Sequence, residues 1–125
     1  MITLPFEYIA AAKLAAAHQD VRFYLVGVKI GNGVVAGTNG HIAVIIEDES
    51  LKDVPEMIIP KDTVEWLIKK VGKRNANRYT AEISDMPGME GFKIIKVYSP
   101  DNGFHVFEIF RPIDGKYPDV MRDLS

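Results

Sequence analysis

The sequence has no cysteine among its 125 residues. This excludes thiol nucleophiles, cysteine-ligated zinc and a disulfide framework, and it fits a reducing compartment. Histidine is scarce: His18, His41 and His105 are the only three, and no two stand at metal-ligand spacing. HExxH, GxxxxGK[ST] and GxSxG patterns are missing, and the carboxylates fall in loops and turns rather than as a sheltered pair. There is no long apolar run either. Glu7 and Lys13 interrupt the alanine-rich beginning, which lacks a basic start, so neither a signal peptide nor a membrane span is expected and the location expected is cytoplasmic. An excess of one charge is also lacking, because 15 basic and 17 acidic side chains leave a net charge of -2. The chain as a whole is not a nucleic-acid polycation, so any contact with DNA has to come from a local patch.

What is present is 47% hydrophobic residues, enough for one compact domain over residues 1–125 and too little chain for a second. One pattern occurs twice. "ITLP" opens into "FEYIAAAKLAAAH", and "MIIP" opens into "KDTVEWLIKKV". Proline's fixed φ and missing N–H suit the start of a helix, so Pro5 and Pro60 mark two strand-to-helix junctions. After the first helix come "VRFYLVGVKI", "GVVAG" and "HIAVIIE", divided by Gly31-Asn32-Gly33 and Asn39-Gly40, turn sequences that tolerate positive φ. After the second come "RYTAEIS", "FKIIKVYS" and "FHVFEIF", divided by Met86-Pro87-Gly88 with Gly91 and by Pro100-Asp101-Asn102-Gly103. The chain reads as α+β: a duplicated βαβββ unit, halves about 1–48 and 56–111 and then a C-terminal tail, with two helices packed on antiparallel meanders.

The second helix carries a core stripe of Val64, Leu67, Ile68 and Val71 at i, i+3, i+4 and i+7. Between Lys61 and Arg78 lie Lys61, Lys69, Lys70, Lys73, Arg74 and Arg78 against only Asp62 and Glu65, so this stretch is basic while the remainder is acidic. Such lysines are ordinary solubilisers on many helices. Trp66, off the stripe and flanked by lysines, fits either an exposed stacking group or a residue covered by the loop that follows. An enzyme would have to use His41, oriented by Asp119 or Asp123, yet a histidine leaving a hairpin turn more often makes a structural hydrogen bond. No catalytic residue, metal or cofactor is therefore expected.

Four ordered blocks, "AHQDVRFYLVGV", "VVAGTNGHIAV", "IIPKDTVEWLIKKVG" and "IDGKYPDVMRDL", resemble the central domain of the bacterial replicative sliding clamp, the polymerase beta subunit. The resemblance runs from "ITLP" to the end of the chain. It implies a DNA-clamp fold, itself a duplicated βαβββ unit, whose domains join edge to edge into a ring with helices lining a bore around duplex DNA. Sliding needs weak, sequence-independent attraction to phosphates, which lysines on flexible stems supply. By resemblance, Lys61, Lys69, Lys70, Lys73 and Arg74 face the DNA, and Gln19, Arg22, Phe23 and Tyr24 contribute contacts at the rim. Leu25, Thr38, Gly40, His41, Ile42 and Pro118 correspond to the outer groove that receives peptides of DNA polymerases and other clamp partners.

The match departs from the family at three places. The turn Gly40-His41-Ile42-Ala43 is one residue short, lacking the usual arginine. Asp123 replaces an apolar groove residue, and burying that carboxylate calls for pairing with Arg122 or His41, failing which the groove does not take peptides in the usual way. The domains that flank the central one, one of which completes the groove, are not in the sequence. The expectation is a sliding-clamp-like processivity protein, of the reduced kind that suits a phage or mobile element, assembling as a homo-oligomer around duplex DNA. The alternatives are a monomeric clamp mimic or decoy that binds clamp partners or a host clamp, and a piece of a longer clamp.

Overall fold

The computed structural model describes residues 1–101 and 103–119. Strand β1 (Ile2–Pro5) runs directly into helix α1 (Phe6–Lys13), and β5 (Met57–Pro60) into α2 (Lys61–Val71). Both prolines are the last extended residue, with φ near -60° and ψ of 133° and 140°, so each fixes the angle at which its strand turns into its helix. The remaining strands are β2 (Gly27–Gly31), β3 (Val34–Thr38), β4 (Ala43–Glu47), β6 (Thr80–Asp85), β7 (Lys93–Tyr98) and β8 (Phe104–Phe110).

Three elements are shorter than their sequence pattern suggests. α1 stops at Lys13 rather than continuing to His18, because Leu14, Ala15 and Ala16 donate to carbonyls three residues back and Ala17 N–H donates to Leu25 at 3.0 Å. Ala15, Ala16 and Ala17 are all buried, so these alanines serve close packing, which overrides their helix propensity. The segment expected to begin a strand at Val21 instead forms a 3-10 turn at Phe23–Leu25, after Asp20 Oδ1 accepts the Arg22 N–H at 2.8 Å. β4 starts at Ala43 and not at His41, since Asn39 Oδ1 takes the N–H groups of His41 and Ile42 at 2.8 and 3.0 Å.

The two meanders, β2-β3-β4 and β6-β7-β8, form as expected, but each becomes a four-stranded sheet by taking its last strand from the other half. The strand orders are β4-β3-β2-β5 and β1-β6-β7-β8. The exchange is nearly symmetric. Leu4 pairs with Ala81 and Pro5 with Thr80, while Ile59 pairs with Val28 and Pro60 with Gly27. Each helix then begins with the same bond, Phe6 N–H to Tyr79 O at 3.0 Å and Lys61 N–H to Val26 O at 3.1 Å. Four-residue strands are too short to hold as separate hairpins, and pairing across the halves ties the two sheets into one core.

That core lies between the helices and the inner faces of both sheets, where Phe6, Ile9, Val28, Val64, Leu67, Ile95 and Val97 are fully covered. Strand alternation sets the faces: Ala81 and Ile83 of β6 point in, while Glu82 points out to Lys96 of β7. A smaller cluster of Leu25, Ala36, Ile58, Ala17 and Tyr117 covers the opposite face of the β4-β3-β2-β5 sheet. It is closed by the strap after β8, pinned where Ile113 N–H donates to Ile58 O at 3.0 Å.

Candidate nucleic-acid interface and partner groove

Helix α2 buries Val64, Leu67 and Val71 and therefore turns Asp62, Trp66, Lys69 and Lys70 to solvent. Gly72, at φ +88°, ends it in a conformation an L side chain resists, and a 3-10 turn over Lys73–Arg78 follows. Lys69, Lys70, Lys73, Arg74 and Arg78 are all exposed, and among the described residues none of the five forms an ion pair. The Lys70 ammonium sits 5.6 Å from the centroid of the half-exposed Trp66 ring, a cation–π distance. Glu65, the acid nearest these cations along the helix, is already engaged by Lys61 at 3.2 Å and Lys13 at 3.4 Å. The Lys61 ammonium in particular holds its carboxyl below the usual range.

Lys61 itself is a correction to the sequence reading. Only 7% exposed, it is withdrawn from the basic face, with Nζ 2.6 Å from His18 Nδ1 and paired to Glu65. Its position at the first turn of α2, against the wall formed by the residues after α1, puts the ammonium inside rather than outside.

The four rim residues divide into two groups. Gln19 and Phe23 line an open depression of about 740 Å³ together with His18, Val21 and Lys61. Arg22 turns away from it and forms a two-point pair with Asp20, Nε to Oδ1 at 3.0 Å and Nη2 to Oδ2 at 2.9 Å. Hydrogen bonding from Arg22 holds the Asp20 carboxyl at about 2, with a smaller contribution from the nearby His41. Tyr24 packs its ring edge-on to Phe23 and lies over Gly115 of the strap.

The expected groove residues are brought together, though at different depths. Thr38 Oγ1 donates to Ile42 O at 2.6 Å and accepts from Gly40 N–H at 3.1 Å, so the turn is closed by its own side chain. Gly40 sits at φ +92°, and a methyl there would stand 3.0 Å from the Arg22 guanidinium. Arg22 thus sets a cation against a turn whose own sequence has none. Gly40, His41 and Ile42 are exposed, Pro118 is half-buried, and Leu25 and Thr38 lie beneath the surface. Tyr117 shares the small cluster with Leu25; it is 4% exposed, and among the described residues its buried hydroxyl has no well-formed hydrogen bond, the Thr38 backbone being its nearest polar neighbour. Burial pushes that phenol up to about 12, despite the Thr38 backbone nearby. Arg122 and Asp123 lie outside the described residues.

Sequence reasoning missed two contacts. The Asp20–Arg22 pair is only two residues apart and could have been read from the Asp-x-Arg spacing. The His18–Lys61 contact joins positions 43 apart and left no local signal. Among the described residues no cluster of three or more His, Asp or Glu side chains could hold a metal, and no helix is long and apolar enough to cross a membrane.

No protein-family model and no curated protein matches the sequence. Solved structures do match the fold. The beta subunit from DNA polymerase of Streptococcus pyogenes aligns with 97% of this chain at a TM-score of 0.62 and 20% identity. A chain assigned as a DNA polymerase III beta subunit from Eubacterium rectale aligns with 99% at 0.61 and 20% identity. This chain spans about a third of each, 32% and 34% of their lengths. Two four-stranded antiparallel sheets joined by exchanged first strands, with a helix following each, are thus the fold of a bacterial sliding-clamp domain.

Proposed function

We propose that the protein acts as a sliding-clamp-like tether: it contacts duplex DNA without sequence preference through the α2 face, self-assembles around it, and recruits replication or repair proteins. The observation that carries this reading is the run of five exposed cations, Lys69, Lys70, Lys73, Arg74 and Arg78, which form no ion pair among the described residues and lie on the helix side of a clamp fold. Flexible point charges bind phosphates without reading bases, which is the condition for sliding. Lys61, being buried, is withdrawn from that surface, and Gln19 and Phe23 are the rim residues that line the depression next to it.

Self-assembly is supported by the two ends of the molecule. β4 and β8 each pair on one side only, and an open edge is a template for another strand. β8 leaves Phe104, Phe107 and Ile109 exposed, and the β4 end exposes Ile42, with Leu14 after α1. Joining β8 of one copy to β4 of the next is a heterologous contact, which closes into a ring when the rotation per copy allows. For recruitment, the exposed Gly40–Ile42 turn with Pro118 offers an apolar ledge rimmed by Arg22, His41 and Asp20, suited to short peptides with an apolar anchor.

The test is particle mass by light scattering, with and without nicked circular duplex. A tether of this kind gives an oligomer that stays on circular DNA and leaves when the DNA is linearised. A strict monomer at high concentration, with no assembly on DNA, removes the ring and leaves the clamp-mimic reading. That reading requires capture of clamp-binding peptides, or of a clamp, without topological retention.

A further inference from the structure

The buried first lysine of α2 has an imidazole for its partner. Lys61 Nζ lies 2.6 Å from His18 Nδ1 and 3.2 Å from Glu65 Oε1. An ammonium has only donors, so at this distance the imidazole must be neutral, with its lone pair on Nδ1 and its proton on Nε2. His18 is exposed, so solvent protons reach it, whereas Lys61 is not. We propose that His18 and Lys61 form a proton-operated latch, which holds a cation out of the DNA-facing surface when His18 is neutral and delivers it there when His18 is protonated.

The surroundings make the two states exclusive. Protonating Nδ1 removes the acceptor and sets two cations against each other at contact distance. Glu65 cannot neutralise both, because it is shared with Lys13. Asp20, on the same segment as His18, is committed to Arg22. The remaining charged group lining the depression is Asp62, exposed at its mouth, toward which an imidazolium can turn. Lys61 also gains nothing from the helix, since a cation in the first turn of α2 opposes the macrodipole. Its exit is open: the 740 Å³ depression bordered by Gln19 and Phe23 adjoins it. Opening the latch therefore adds an imidazolium and a freed ammonium at the N-terminal end of α2, about two turns from the cations of its last turn. The consequence for DNA rests on the tether reading above, and the latch itself does not.

The two are tested separately. Reductive dimethylation of the full chain, read residue by residue by mass spectrometry at about pH 8 and about pH 5.5, gives the labelling of Lys61 relative to exposed Lys69 in the same molecule. The latch requires this ratio to rise several-fold at the lower pH in the wild type. It must stay flat in His18→Gln, which keeps an acceptor and cannot be protonated. A flat wild-type ratio, or an equal rise in His18→Gln, overturns the latch. In parallel, binding of duplex DNA against salt at the two pH values should steepen by up to about two phosphates, a slope change of about 0.9 each, in the wild type and not in His18→Gln or Lys61→Met. Absence of duplex binding at both pH values defeats the tether reading, while the labelling still decides the latch.

Discussion

A methyl group added at Gly37 tests how closely α1 is seated on the sheet, and hence whether the helix pair holds its place. Gly37 lies on the inner face of β3, and an ideal Cβ there would be 1.9 Å from the Ala12 carbonyl oxygen and 2.8 Å from its carbonyl carbon. A comfortable C···O separation is about 3.3 Å, so the last turn of α1 must lift by about 1.4 Å. Both obstructing atoms are backbone and cannot rotate aside. Ile9 and Ala12 are fully covered, and a gap of about 1 Å forfeits up to about half of each dispersion contact across it. Overpacking of this kind costs about 1–3 kcal/mol. The upper part of that range applies here, reduced by about 0.5 kcal/mol because alanine narrows the unfolded ensemble. Gly37→Ala should therefore lose about 2–2.5 kcal/mol in urea unfolding, which at an m-value of about 1.5–2 kcal/mol/M moves the midpoint down by about 1–1.7 M. Adding Ala12→Gly should not restore stability, since the clash is with the main chain. A midpoint within about 0.2 M of wild type, or rescue by Ala12→Gly, would refute the close seating of α1 on β3.

Other perturbations probe the sites. Lys69→Gln with Lys73→Gln should weaken duplex binding equally on unrelated sequences and reduce the salt slope by about two phosphates, read by fluorescence anisotropy; a sequence-dependent loss would contradict contact by point charges alone. Tyr117→Phe removes a buried hydroxyl that has no well-formed hydrogen bond among the described residues and should raise stability by about 1 kcal/mol, so a loss of that size in urea would show that the Thr38 backbone or another group bonds it. Because Arg22 depresses the Asp20 carboxyl from 3.8 to about 2, its stabilisation is complete above the unfolded value and disappears as pH falls toward 2. The difference in urea midpoint between wild type and Asp20→Asn should accordingly shrink across that window, and a difference independent of pH there would break the assignment.

Much of the fold was legible because local chemistry agreed with the final structure. The two strand-proline-helix junctions appear at Pro5 and Pro60, and β1, β5, α2 and β8 occupy the residues their patterns indicated. The clamp-like architecture was legible too, from ordered blocks rather than from periodicity. The misreadings occurred where a side chain or close packing outbid propensity: Asp20 and Asn39 captured backbone N–H groups, and the alanines after Lys13 left the helix to fill the space beside Leu25. The basic face was visible as charge, but which of its cations reach solvent was not. Lys61 and Lys69 look alike in sequence, and only burial separates them.

The amino-acid order alone therefore determined most of the segments that extend or coil, though not where α1 ends or where β2 and β4 begin, and it determined where charge gathers, since those depend on neighbours a few positions apart. The tertiary structure alone decided that β1 and β5 cross to the opposite sheets, that the strap fills the cleft over Leu25, and that His18 meets Lys61. Each of these joins residues dozens of positions apart. Such contacts form only when loop closure is offset by burial of a shared core, a free energy that belongs to the whole chain and leaves no trace in any one stretch.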